Sequence, residues 1–207
     1  MNVGRLDEDL EVEVKFMVDD FEEIIDRLTR MGGELILPRI YERNLVFDNA
    51  DQYLARGGKL LRLRQDRNCR ITFKGRERHK ESGLQIREEI EVKVDDFDQA
   101  GAILKRIGFE KQISYEKYRT SYVLGQLEVL LDEMPFGLFV ELEGEAEAIR
   151  TTAEALDLKW EKRIFTNYLV LHDRLKEFYD LPFDDVTFEN YADYEFGELE
   201  NLFLDKA

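Results

Sequence analysis

The sequence predicts an α+β fold: an eight-stranded antiparallel β-barrel tunnel built from two pseudo-repeated β-α-β-β-β halves, with helices packed outside. Three observations carry this expectation. The phrase Glu11-Val-Glu-Val-Lys15 returns almost unchanged as Glu89-Ile-Glu-Val-Lys93. Landmarks beyond it return in the same order: Asp19-Asp20-Phe21 as Asp95-Asp96-Phe97, Leu28 as Leu104, Gly32 as Gly108 and Arg43 as Arg119. The remaining segments alternate apolar and charged residues with the period of two that a strand imposes.

Each element follows from local chemistry. In the first strand Glu11, Glu13 and Lys15 share one face, and Val12, Val14 and Phe16 share the other. Asp19 and Asp20 then supply an N-cap and first-turn acids for a helix. That helix places Phe21, Ile24, Ile25, Leu28 and Met31 on one side, and Gly32 suits a left-handed C-terminal cap. Strands follow over roughly 36–48, 59–66 and 69–75. The second half repeats the plan with Phe97, Ala100, Ile103, Leu104 and Ile107 on its helix, Gly108 at its end, and strands over 111–124, 126–133 and 138–143. Tight turns at Gly57-Gly58, Gly125-Gln126 and Phe136-Gly137 favour antiparallel hairpins. Further helices are expected over 145–157 and 166–179, the latter from Tyr168, Leu169, Leu171, His172 and Leu175 at helical spacing.

The halves show no linker, so residues 1–175 are expected to pack as one domain around a pseudo-twofold axis. Residues 176–207 differ: they are acidic and studded with Phe178, Tyr179, Phe183, Phe188, Tyr191, Tyr194, Phe196 and Phe203. So many aromatics predict an extension that docks on the domain or on a partner chain.

Composition narrows the function. At 207 residues with 43% hydrophobic content, the chain can bury a sizeable core. It lacks an apolar run of membrane-spanning length and a secretory leader, so no membrane association and a cytoplasmic location are expected. A single cysteine, Cys69, excludes an internal disulfide and reads as structural; two histidines leave no Cys/His zinc pattern. A net charge of −16 argues against nucleic acid as a partner. Residues 56–80 nevertheless hold Arg56, Lys59, Arg62, Arg64, Arg67, Arg70, Lys74, Arg76, Arg78 and Lys80 against two acids, Asp66 and Glu77. This stretch is either a confined anion site or a solvated basic edge. Within it, the loop around His79 is either a lid over the tunnel mouth or an ordinary exposed hairpin loop.

Strand parity favours the anion site. Arg62 and Arg64 alternate with Leu61 and Leu63, and Thr72 and Lys74 with Ile71 and Phe73. Arg87, Glu89, Glu91 and Lys93 share a face, as do Lys117 and Arg119, and Glu141 and Glu143; Asp132 closes the strand before. One such strand is explained by an antiparallel sheet with a wet face. Six are not, because water asks only for polarity, whereas these positions are nearly all charged and segregate by sign. Turned inward, the bases suit an elongated polyanion and the clustered carboxylates suit a hard divalent cation.

Glu11-x-Glu13-x-Lys15, Arg62-x-Arg64, Thr72-Phe-Lys74, Arg87-Glu-Glu89-x-Glu91, Lys117-x-Arg119, Asp132 and Glu141-x-Glu143 together resemble the CYTH superfamily of triphosphate tunnel metalloenzymes. Its members include class IV adenylate cyclases, thiamine triphosphatases and inorganic triphosphatases. The resemblance spans about residues 9–175. It implies Mg²⁺ or Mn²⁺ held by Glu11, Glu13, Asp132, Glu141 and Glu143, with Glu89 and Glu91 assisting. It implies phosphates gripped by Lys15, Arg62, Arg64, Lys74, Arg87, Lys117 and Arg119, of which Lys15, Lys74 and Arg119 are the catalytic candidates. One departure stands out. Family members often carry a Lys-Ser-Tyr-like element near the C-terminus, and Thr166-Asn167-Tyr168 occupies that place here, so its base is missing; Lys162 and Arg163 are the neighbouring bases.

The expected partner is a triphosphate: tripolyphosphate, ATP or thiamine triphosphate, processed by a monomer or homodimer. Hydrolysis is favoured because tripolyphosphate needs nothing beyond the tunnel. The alternatives are a class IV adenylate cyclase releasing cyclic AMP and pyrophosphate, and a weakly catalytic polyphosphate- or nucleotide-binding module.

Overall fold

A computed structural model describes residues 10–76, 78–79, 85–197 and 199–204. The chain forms β1 (Leu10–Val18), α1 (Glu22–Arg30), β2 (Glu34–Asp48), α2 (Tyr53–Arg56), β3 (Leu60–Gln65), β4 (Cys69–Lys74) and β5 (Arg78–His79). It continues as β6 (Gln85–Val94), α3 (Phe97–Arg106), β7 (Glu110–Leu124), β8 (Leu127–Met134), β9 (Gly137–Glu143) and α4 (Ala146–Ala155). A 3₁₀ turn (Trp160–Lys162) leads to α5 (Tyr168–Tyr179), α6 (Phe188–Tyr191) and α7 (Glu200–Phe203). None of the described helices is long and apolar enough to cross a membrane.

Eight antiparallel strands run in the order β1-β9-β8-β7-β2-β3-β4-β6, and β6 pairs back onto β1, closing a ring. The short β5 pairs with the first residues of β6. This order is the one a duplicated β-α-β-β-β unit produces. β1, β2, β3 and β4 correspond to β6, β7, β8 and β9, and the pseudo-twofold axis passes between β1 and β6 on one side and between β2 and β7 on the other.

Alternation sends the outer faces of the strands into three apolar clusters, except on β6, where Ile90 and Val92 stay exposed. α1 and α4 bury Leu28, Ile149 and Ala153 against Val14, Phe16, Val140 and Leu142 of β1 and β9. α3 buries Phe97, Ala100 and Leu104 against Phe47 and Leu63. α5 and the extension pack Leu171, Leu175, Leu181, Val186, Tyr191 and Phe203 against Tyr115, Met134, Phe136 and Phe139. Each large apolar side chain removed from water contributes roughly 1.5–3 kcal/mol. Cys69 lies beside the α3 cluster, part-buried and unbonded to any other cysteine.

The helix ends show the duplication and its drift. Gly32 and Gly108 follow α1 and α3 at φ +82° and +96°, the left-handed conformation expected for both. Asp96 caps α3, its side chain accepting from the Gln99 amide at 2.8 Å. In the first copy Asp20 accepts from the Glu22 amide at 2.9 Å instead, and the helix begins a residue later, with Phe21 at the cap position.

One repeat landmark fails. Arg43 does not correspond to Arg119: Arg43 is exposed on the outer face, its guanidinium 5.1 Å from the Phe97 ring, whereas Arg119 faces inward. The cause lies in β2, whose register against β7 slips on either side of Leu37, next to Pro38. Proline has no N–H for the ladder, so the strand bulges there, and the two slips break the constant sequence offset between the halves.

Candidate functional site

The inward face of the ring lines a cavity of about 600 Å³. Lys15, Arg62, Arg64, Lys74, Arg87, Lys117 and Arg119 all reach it, as do Glu13, Glu89, Glu91, Glu141 and Glu143. The side chain of Glu11 lies outside the described residues; its backbone pairs with Arg87. Asp132 is 0% exposed and stands behind the lining.

Cross-strand register sorts these charges into two walls. On β1, β9 and β8, Glu13 lies opposite Glu143, which lies opposite Glu128. One pleat along, Lys15 lies opposite Glu141. On β3, β4 and β6, Arg62 faces Thr72, Arg64 faces Arg70, and Lys74 faces Glu89. Like charges directly opposite one another on neighbouring strands repel. The rows therefore cost stability unless other groups offset them.

Ion pairs, most of them between neighbouring strands of the ring, supply part of the offset. Lys15 Nζ sits 2.8 Å from Glu141, and Arg119 also reaches Glu141. Lys74 pairs with Glu89 at 2.6 Å, with Arg62 3.8 Å from the same carboxylate. Arg87 lies 3.5 Å from Glu13, and Arg70 lies 3.5 Å from Glu91. The Thr72 hydroxyl donates to Glu91 at 3.0 Å. Burial opposes ionisation of Glu141, but Lys15 and Arg119 hold its carboxyl well below the usual range. The reciprocal charges of Glu141 and Glu13 raise Lys15 despite its burial.

Asp132 carries the densest set of bonds. Its carboxylate accepts from Lys117 Nζ at 2.7 Å, from Arg119 Nε and Nη2 at 2.6 Å each, and from the Tyr168 hydroxyl at 2.9 Å. Tyr168 opens α5, whose N-cap is Asn167. The Lys15 ammonium lies 4.6 Å from the Tyr168 ring centroid. Thus Thr166-Asn167-Tyr168 brings an aromatic ring and a hydroxyl to the cavity. Arg163 does not line it: its guanidinium lies over the rings of Trp160 and Phe165 and donates to the Trp160 carbonyl.

Several lining residues were not predicted. Glu42 of β2 is 1% exposed, 3.4 Å from Arg64 and 3.7 Å from Lys117, and those cations hold its carboxyl at about 2 against the penalty of burial. Tyr115 accepts from Arg62 Nη1 at 3.2 Å. Arg70 and Glu128 complete the two walls. The signal for Glu42 was the alternation Glu42, Asn44 within 36–48, visible once that strand is read by parity. His79 ends the short β5; its side chain, residue 77 and residues 80–84 lie outside the described ones.

The donor set along β1, β9 and β8 is all carboxylate oxygen, the chemistry hard divalent cations take. Among the described residues, no three acidic, histidine or cysteine side chains gather as a metal cluster. The carboxylates lean instead on bases of the neighbouring strands. The donors fit such an ion by type, and the repulsion along the Glu13–Glu143–Glu128 row is what a cation relieves.

Comparison with known proteins agrees with this geometry. The CYTH domain model matches residues 9–167. A Methanocaldococcus jannaschii protein carrying the provisional name adenylate cyclase is 31% identical over 150 residues, covering 72% of this chain and 84% of that protein. A solved Vibrio parahaemolyticus structure with the same provisional name shares the fold at TM-score 0.69 and 21% identity, over 77% of this chain and 95% of that one. A Hippeastrum protein described as a provisional adenylyl cyclase with a dominant triphosphatase activity superposes at TM-score 0.54 and 22% identity, over 70% of this chain and 84% of that one. A ring of eight strands with these charged motifs facing inward, and a family model covering most of the chain, lead to one assignment: the chain belongs to the CYTH domain family.

Proposed function

We propose that this chain hydrolyses a linear triphosphate, inorganic tripolyphosphate or a nucleoside or thiamine triphosphate, with Mg²⁺ or Mn²⁺. The observation that carries the reading is the division of one cavity into a basic wall and an acidic wall. Binding alone needs bases; facing carboxylates that repel one another make sense where a cation also enters.

In this reading Arg62, Arg64 and Arg87 bind phosphate oxygens, their forked guanidinium groups suited to that geometry. Lys15, Lys74 and Arg119 offset the charge that builds on the transferred and leaving phosphates as water attacks the terminal phosphorus. The diphosphate end leaves, as pyrophosphate from tripolyphosphate or as the nucleoside or thiamine diphosphate. Glu11, Glu13, Glu141 and Glu143 would hold the metal. When bound, that ion supplies Lewis acidity toward phosphate oxygens and lowers the pKa of a water. Asp132 we assign to orienting Lys117 and Arg119, because four donors already fill its oxygens. Glu89 and Glu91 likewise steady Lys74, Arg62 and Arg70.

The name of the M. jannaschii relative supports a second reading, cyclisation of ATP, in which the ribose 3′-hydroxyl attacks the α-phosphorus. The two separate by product. Purified protein is offered tripolyphosphate, ATP and thiamine triphosphate with Mg²⁺ or Mn²⁺, and phosphate, pyrophosphate and cyclic AMP are resolved. Phosphate release from tripolyphosphate is the expected result; cyclic AMP as the main ATP product would overturn it. Tight tripolyphosphate binding without turnover of any substrate would leave only a binding module.

A further inference from the structure

We propose that Tyr115 contacts the phosphate chain directly and that the C-terminal extension holds it in place; this rests on the triphosphate reading above. The starting observation is an uncovered strand edge. β7 runs from Glu110 to Leu124, but β8 pairs with it only from Tyr118 onward. Residues 110–117 thus have an edge left open by the ring itself, and open edges need partners.

The extension supplies one. Val186 donates to the Ser114 carbonyl at 2.8 Å, and the Glu116 amide donates to the Val186 carbonyl at 2.9 Å, a parallel bridge centred on Tyr115. Asp185 accepts from the Ser114 amide at 2.7 Å and pairs with Lys111 at 2.7 Å. The Phe188 amide donates to the Glu116 carboxylate at 3.0 Å. Both neighbours of Tyr115 are therefore tied to residues 185–188. Since side chains alternate along a strand, fixing Ser114 and Glu116 on the edge fixes the direction in which Tyr115 enters the cavity.

The hydroxyl arrives in an unusual setting. It is buried and lies among Arg62, Arg64 and Lys117. Burial pushes the phenol up, and those three cations outweigh it and draw it below its usual range. Arg and Lys carry donors only, so none of them can accept the phenolic proton. A phosphate oxygen gripped by the same cations can. A buried aromatic ring needs no hydroxyl to pack, and here the hydroxyl is aimed at the basic wall rather than at the apolar cluster.

Tyr115→Phe keeps the ring and removes only the hydroxyl. Calorimetric titration of tripolyphosphate into the full-length protein is expected to show binding about ten-fold weaker, the size of one lost bond to a charged group, with KM rising in step and kcat little changed. Asp185→Ala is expected to weaken binding in the same direction, Asp185→Asn to restore it by keeping the acceptor for the Ser114 amide, and Asp185→Ala to add nothing in the Tyr115→Phe background. Wild-type affinity retained in Tyr115→Phe overturns the contact while leaving the triphosphate reading standing. Full additivity of the two substitutions overturns the link to the extension. A wild-type protein that neither binds nor turns over any triphosphate removes the reading and this inference together.

Discussion

The two walls of the cavity are built from the same piece of backbone and carry opposite charge. The axis that maps β1 onto β6 and β4 onto β9 sets Thr72 against Glu143 and Arg70 against Glu141, since each pair holds the same place beside the repeated strand. One strand further out, Arg62 corresponds to Glu128. Beside the axis, where Tyr41 pairs with Tyr118, the counterpart of Glu42 is Arg119, so equivalent positions again carry opposite charge, and Glu42 lies opposite Lys117 as an ion pair. The difference teaches that duplication supplied a closed ring of inward positions and nothing more. Sign was set position by position, and a symmetric charge pattern would have bound either an anion or a cation, not a complex of both.

This contrast predicts two kinds of damage, the largest on the acidic side. Glu143→Gln and Glu141→Gln are expected to lower metal-dependent kcat by roughly a hundred-fold or more while tripolyphosphate still binds, measured as initial rates across a metal titration. Arg62→Ala on the equivalent basic wall is expected to act mainly on KM, by about ten-fold. If the acidic-wall and basic-wall substitutions moved the same parameter by the same factor, the walls would not divide the work as proposed.

The ion pair beside the axis sharpens the comparison through pH. Glu42 titrates at about 2 in the folded protein against an ordinary 4.5, so its carboxyl is depressed. A depressed acid contributes stability that is fully present above about pH 4.5 and is lost as pH falls toward 2. The size is roughly 3 kcal/mol from such a shift. Thermal unfolding of Glu42→Gln followed from pH 7 to pH 3 should show a shallower acid limb than the wild type. An unchanged limb would mean that Lys117 and Arg64 do not stabilise that carboxylate.

The sequence made the ring legible because its repeat recurs in order and its parity is strict. Parity alone put Glu13 with Lys15, Arg62 with Arg64, Lys117 with Arg119, and Glu141 with Glu143 on shared faces, and the structure turns those faces into the cavity. What it hid had physical causes. Glu42 was obscured by Pro38, since a bulge uncouples sequence offset from face and spoils the match of Arg43 to Arg119. Tyr115 was hidden because its placement in the cavity goes with Asp185 and Val186, some seventy residues away, pairing onto an edge that no local pattern announces. Asp132 reads as one more carboxylate in sequence; only its four donors separate it from the others.

The outer faces of the two halves differ as well, and here the expected effects are smallest. Val14 of β1 is 2% exposed beneath the cluster of α1 and α4, whereas its counterpart Val92 of β6 is 58% exposed. α4 follows β9, but the segment between β4 and β6 holds, among its described residues, no helix to do the same. Val14→Ala therefore removes two methyl groups from a packed interior and is expected to cost about 2 kcal/mol in denaturant unfolding. Val92→Ala removes them from water-exposed surface and is expected to stay within about 0.5 kcal/mol. Because the two valines share a strand type, a register and a residue identity, the comparison isolates burial from β-propensity. A cost at Val92 close to that at Val14 would mean that the bare outer face of β6 is covered in solution, and that the halves are more alike outside than inside.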